Sequence, residues 1–259
     1  MTWTTRLRSK TNGLAAITAG DGPPILLLHG VGLRAEAWNR QIDGLARDFH
    51  LIAPDMLGHG ESVPASGQTS VSDYTDSILA LIHDPVLVVG HSMGAMIALD
   101  MAIRFPEQVR GVAALNAIWK RTAEAAAAVR DRAESLDGRT PADPASTLSR
   151  WFDDAVSPER NACAKWLRDV NPAGYKTAYT AFAKGDGPNE TALTHLSCPA
   201  LFMTGQMEPN STPQMSQAMA KRAPQGRAII VEGAAHMMPI THAEVVTAAL
   251  LDFAREVWT

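Results

Sequence analysis

The chain has 259 residues, 46% of them hydrophobic and 19% charged, which suits one large domain with a sizeable core better than two small ones. Its 23 basic and 27 acidic residues leave a formal charge of −4. With no basic tract this argues against a nucleic-acid partner, and the charge is too small and too evenly spread to announce a charged substrate.

The first residues lack the apolar run of a signal peptide. No stretch approaches the roughly 18 unbroken apolar residues that a membrane span needs. Cys163 and Cys198 form neither a disulfide framework nor a metal-ligand cluster. The expectation is a cytoplasmic protein with no membrane partner.

In chain order, Asn12-Gly13 between two short β-like runs in 5–19 is a hairpin signal, which adds antiparallel strands at one edge of a sheet. Apolar runs follow at 25–28, 51–53, 86–89, 112–115, 200–204 and 228–231. Runs without alternation suit strands buried on both faces. Helical patterns lie between them at 35–47, 70–83, 93–105, 212–222 and 242–256. This alternation predicts an α/β fold, a mostly parallel central sheet with helices on both faces.

The alternation breaks between 119 and 192. That stretch holds helix formers at 122–129, the aromatics Trp119, Trp151, Phe152 and Trp166, and turn residues at Asp143-Pro144 and 185–188. It reads as a helical insertion over the carboxyl edge of the sheet. The expected organisation is a core of 1–118 and 193–259 with a helical lid of 119–192.

Gly90-His91-Ser92-Met93-Gly94 stands between an apolar run and a helical pattern. G-x-S-x-G alone is weak, but strand, pentapeptide and helix together put serine on a sharp turn at the sheet's carboxyl end. Glycines are needed there because a side chain would collide with the adjoining strand and helix. The helix N-terminus below offers N–H groups to an anion. Ser92 is therefore the candidate nucleophile, which requires a histidine base and a carboxylate behind it.

Of eight histidines, His236 lies in a short loop after the last apolar run, where this arrangement needs a base. His242 reads as a helix-start residue, His29 as structural, and His91 as pointing away from the pocket. No aspartate occurs between Gly187 and Asp252. Of Glu190, Glu208, Glu232 and Glu244, only Glu208 follows a strand in a loop at its carboxyl end, so it is the candidate acid. Asn116, at the other position where an acid could stand, supplies no charge. The small residues of His29-Gly30-Val31-Gly32 allow a sharp turn that brings a backbone N–H over Ser92. The N–H groups of Val31 and Met93 are the expected oxyanion donors.

These motifs resemble the α/β-hydrolases of the single-domain, lidded kind, which include esterases, enol-lactonases, carbon–carbon bond hydrolases and cofactor-free haloperoxidases. The resemblance runs through His29-Gly30, Asp55 to Ser62, Gly90 to Gly94, Gly205 to Asn210 and Gly233 to Pro239, and omits 119–192. The order serine, acid, histidine is that fold's own. The family usually has aspartate where this chain has Glu208. A branch with an aspartate nucleophile is excluded by Ser92.

The resemblance implies acyl transfer to water without metal or organic cofactor, on a small ester or lactone. Carbon–carbon cleavage, a lyase reaction or perhydrolysis can use the same triad, and a ligand-binding or signalling protein of this fold would keep the pocket with little turnover. Trp119, Trp151, Phe152, Trp166, Met93, Met237 and Met238 are candidates to line an apolar pocket, which would favour a weakly polar substrate.

Overall fold

A computed structural model describes residues 3, 5–67, 70–152 and 156–259. Eight strands form one sheet: β1 (Ser9–Thr11), β2 (Leu14–Ala19), β3 (Pro24–Leu28), β4 (His50–Pro54), β5 (Val86–His91), β6 (Val109–Leu115), β7 (Ala200–Gly205) and β8 (Gly226–Val231). Their order is β1-β2-β4-β3-β5-β6-β7-β8. The β1–β2 and β2–β4 pairs are antiparallel and the others parallel. Asn12 and Gly13 turn the hairpin, both with positive φ (50° and 82°), as the primed two-residue turns require.

The unbroken apolar runs are strands covered on both faces. Leu26, Leu28, Val88, Val112 and Phe202 enter one core. Their neighbours Ile25, Leu27, Val89, Ala113 and Leu201 enter the other. This follows from the two-residue side-chain period of a strand. The helices α1 (Asn39–Leu45) and α11 (Ala243–Val257) pack on the second face through Ile42, Leu45, Leu250 and Phe253. The first face takes α2 (Val71–Ile78), α3 (Met93–Arg104) and α9 (Pro213–Arg222), through Tyr74, Ile97, Met101 and Met219.

Some boundaries differ from the sequence reading. The stretch 35–47 is a 3₁₀ turn (Ala35–Trp38) followed by α1. The last helical stretch is preceded by a short α10 (Met238–Thr241).

Among the described residues of 119–192 there is no strand. The segment carries α4 (Ala123–Ser135), α5 (Ala145–Trp151), α6 (Pro158–Asp169), α7 (Pro172–Lys184) and the start of α8 (Glu190–Thr194). Asp153, Asp154 and Ala155 lie outside the described residues. Local chemistry sets these helix starts. Thr122, Ser157, Asn171 and Asn189 each accept a hydrogen bond from a first-turn N–H, and Pro158 and Pro172 stand where no intrahelical donor is needed.

Candidate active site

Ser92 ends β5 and opens α3 with φ 57° and ψ −117°, a conformation that costs a residue with a side chain free energy and persists only under surrounding constraint. The constraint is visible at the flanking glycines. A Cβ on Gly90 would stand 2.0 Å from the Gly94 carbonyl oxygen, and one on Gly94 would stand 2.2 Å from that of Leu28. The Ser92 N–H is held by Leu115 at 2.8 Å.

His236 follows β8, and its Nδ1 lies 2.8 Å from Oε2 of Glu208. Glu208, in the loop after β7, is buried (2% exposed). Its Oε1 accepts the N–H groups of Asn210 (2.8 Å) and Ser211 (3.3 Å). The Asn116 amide donates to Oε2 at 3.5 Å. Burial alone would push this carboxyl up. The charge and hydrogen bond of His236, with the two backbone N–H groups, outweigh it and hold the carboxyl at about 2. This carboxylate is therefore ionised across the neutral range. With Glu208 facing Nδ1, the proton sits on Nδ1 and Nε2 is left as the basic nitrogen.

His91 points away from the cavity and donates from Nε2 to the His236 carbonyl at 2.8 Å. Burial is the main cause that depresses it to about 3, so it stays neutral. On its other side the His236 ring stacks with Trp151 of α5, centroids 5.6 Å apart.

The turn at Gly30–Gly32 crosses close to Ser92, where a Cβ on Gly30 would stand 3.1 Å from Ser92 Cβ. Two buried histidines fix this turn. His29 accepts the Met56 N–H at Nε2 (2.9 Å) and donates from Nδ1 to the Gly30 carbonyl (2.8 Å). His59 accepts the Gly32 N–H at Nε2 (3.0 Å). Burial holds both below their ordinary value, His59 at about 3.

Sequence reasoning missed the ion network beneath this turn. Arg8 donates to Asp55 (2.7 Å) and Glu36 (2.5 Å), all three side chains almost fully buried. Asp55 also accepts the N–H groups of Ala35 (2.8 Å) and Glu61 (2.9 Å). Burial opposes ionisation of both carboxyls, but Arg8 outweighs it and both are lowered. Among the described residues the N–H of Val31 enters no hydrogen bond, and that of Met93 is a first-turn donor left over by α3.

Ser92, Val31 and His236 open into a cavity of about 400 Å³ between the sheet edge and the helical insertion. Trp151, Tyr179 and Phe182 line it, and so do Arg121, Arg132 and Arg150. The cavity thus sets three arginines among apolar walls, a charge that the sequence reading did not announce. One signal for this was available: Ala125, Ala128, Val129 and Arg132 are spaced i, i+3, i+4, i+7, which puts Arg132 on the face of α4 that lines the cavity.

Trp119 and Met237, expected in the lining, lie elsewhere. Trp119 is buried, donates from Nε1 to the Pro188 carbonyl (2.8 Å) and packs between Lys120 and Arg222. Met237 is 1% exposed in the core. Both sit where large apolar groups are covered, a demand that composition alone does not distinguish from a ligand pocket. Among the described residues no cluster of His, Cys, Asp or Glu has the form of a metal site.

A family profile described as "Alpha/beta hydrolase family" matches residues 25–249. The chain belongs to the α/β-hydrolase family. Over 239 residues it is 39% identical to an (E)-2-((N-methylformamido)methylene)succinate hydrolase of Acinetobacter baylyi, covering 89% of this chain and 90% of that one. Among solved structures it resembles a thermophilic esterase of Thermogutta terrifontis, solved with malate bound (TM-score 0.87, 26% identity, 99% and 100% coverage). The enol-lactonase of Burkholderia xenovorans LB400 shares the fold (TM-score 0.83, 22% identity, 96% and 99% coverage). Among this chain's described residues no helix is long and apolar enough to cross a membrane.

Proposed function

We propose that this α/β-hydrolase cleaves an acyl bond in a small molecule through an acyl-enzyme on Ser92. The observation that carries the reading is the strained serine at the elbow opening into one cavity with His236, whose far nitrogen is held by a buried, ionised Glu208. His236 takes the Ser92 proton through Nε2 as the oxygen attacks the carbonyl carbon. The N–H groups of Val31 and Met93 hold the oxyanion, an arrangement worth several kcal/mol when the donors are preorganised. The tetrahedral intermediate collapses, His236 protonates the leaving atom, and the same nitrogen then activates water to release the acid.

The scissile bond is an ester, a lactone or an amide; the amide belongs to this range because the Acinetobacter relative is named for a formamide substrate. The insertion acts as a lid that roofs the cavity. The buried, unpaired thiols of Cys163 and Cys198 suit a reducing cytoplasm. A fluorophosphonate probe tests the reading. It should add one label per chain, mapped to Ser92, and Ser92→Ala should lose both label and hydrolysis of p-nitrophenyl acetate. Labelling at another serine would overturn it.

A further inference from the structure

The arginines of the cavity are not equivalent. Arg121 is committed to the protein. Its guanidinium donates to the carbonyls of Gly185 and Phe182, lies 3.6 Å from Asp186, and stacks over Phe182. Arg132 and Arg150 have only neutral partners among the described residues. Arg132 lies beside the Tyr175 hydroxyl. Arg150 reaches Thr147 Oγ1 at 3.4 Å. Among the described residues neither forms an ion pair, and no aspartate or glutamate lines the cavity.

This local excess of positive charge runs against the chain as a whole, which carries −4. Two like charges facing one space repel each other, so the arrangement is most favourable when anions occupy it. The two stand on different helices, α4 and α5. A guanidinium fork matches a carboxylate in two-point geometry. One monoanion neutralises one of them and leaves the other unpaired.

We propose that this cavity selects a small dicarboxylate, one carboxylate on Arg132 and the other on Arg150, with its acyl bond presented to Ser92. The proposal rests on the hydrolase reading for its chemistry, but the anion subsites belong to the insertion and the reacting groups to the sheet edge. A cavity of about 400 Å³ suits a compact acid of this kind.

Binding without turnover tests it. Full-length Ser92→Ala is titrated calorimetrically with succinate, acetate and inorganic phosphate at constant ionic strength. Succinate should bind at least ten-fold more tightly than acetate or phosphate. On that background Arg132→Gln and Arg150→Gln should each weaken succinate by about 10- to 100-fold, the range for a lost charge-assisted hydrogen bond. Arg132→Lys, which keeps the charge, should lose less. Arg150 is exposed along α5, so its replacement opens no core void. Succinate binding no better than acetate, phosphate binding better than succinate, or succinate affinity unchanged in both glutamine variants would each overturn the proposal. Any of these alongside Ser92-dependent ester hydrolysis leaves the hydrolase reading intact. Tight, arginine-dependent succinate binding without such hydrolysis refutes that reading alone.

Discussion

Replacing Glu208 by glutamine keeps the shape of the side chain and removes its charge, and the structure dictates how the amide must sit. Oε1 accepts two backbone N–H groups, from Asn210 at 2.8 Å and Ser211 at 3.3 Å. If the glutamine NH₂ took that place, both bonds would be lost, at about 1 kcal/mol each and more for a buried donor left unpaired. The oxygen therefore stays and the NH₂ faces His236. It then donates to Nδ1, which forces the ring proton onto Nε2, the nitrogen that must accept from Ser92. Stabilisation of the imidazolium is lost as well. The equivalent neutralisation in serine proteases lowers turnover by about four orders of magnitude. Here a loss of about two to four is expected, or roughly 3–5 kcal/mol of transition-state stabilisation. The assay is kcat and kcat/KM for p-nitrophenyl acetate from pH 5 to 9, beside thermal melting to establish folding. Glu208→Asp, shorter by one methylene, should keep part of the activity. Wild-type turnover in Glu208→Gln, with Glu232→Gln or Glu244→Gln inactive instead, would refute the reasoning.

Arg8→Met leaves Asp55 and Glu36 buried without their cation and should cost about 3–5 kcal/mol, a fall in Tm of about 6–20 °C. The pH dependence follows from the depressed carboxyls. Their contribution is complete above the unfolded values of 3.8 and 4.5 and is lost as pH falls through the lower folded values. The difference in Tm between wild type and Arg8→Met should therefore be largest at and above neutrality and shrink as pH falls and the carboxyls protonate; a gap that widens in acid would refute the network's role. Gly94→Ala forces a methyl to 2.2 Å from the Leu28 carbonyl oxygen. It should cost at least about 1–3 kcal/mol in denaturant melts and displace the elbow enough to abolish probe labelling. Trp151→Leu removes the ring stacked on His236, an interaction worth about 0.5–1 kcal/mol to an imidazolium. It should lower kcat by about two- to five-fold while shifting selectivity among acyl substrates, and unchanged kinetics across a substrate panel would refute that role.

Local sequence already determined the features whose causes are local. Asn12-Gly13 turns a hairpin because few other pairs take positive φ at both positions. Unbroken apolar runs become strands buried on both sides because nothing else covers them, and the two glycines around Ser92 leave no space for any other residue. The same logic led to His236 and Glu208, since residues directly after parallel strands gather at one edge of the sheet. Contacts between distant segments were decided only in three dimensions. Arg8 meets Asp55 and Glu36 across 47 and 28 residues, pairings that no local pattern encodes. Trp119 and Met237 entered the core while Trp151 reached His236, because burial of an aromatic or a methionine satisfies the hydrophobic effect in either place. The positive lining of the cavity depends on how α4 and α5 are docked over the sheet. A net charge of −4 over the whole chain averages away the local concentration of Arg132 and Arg150, which exists only once those helices share one wall.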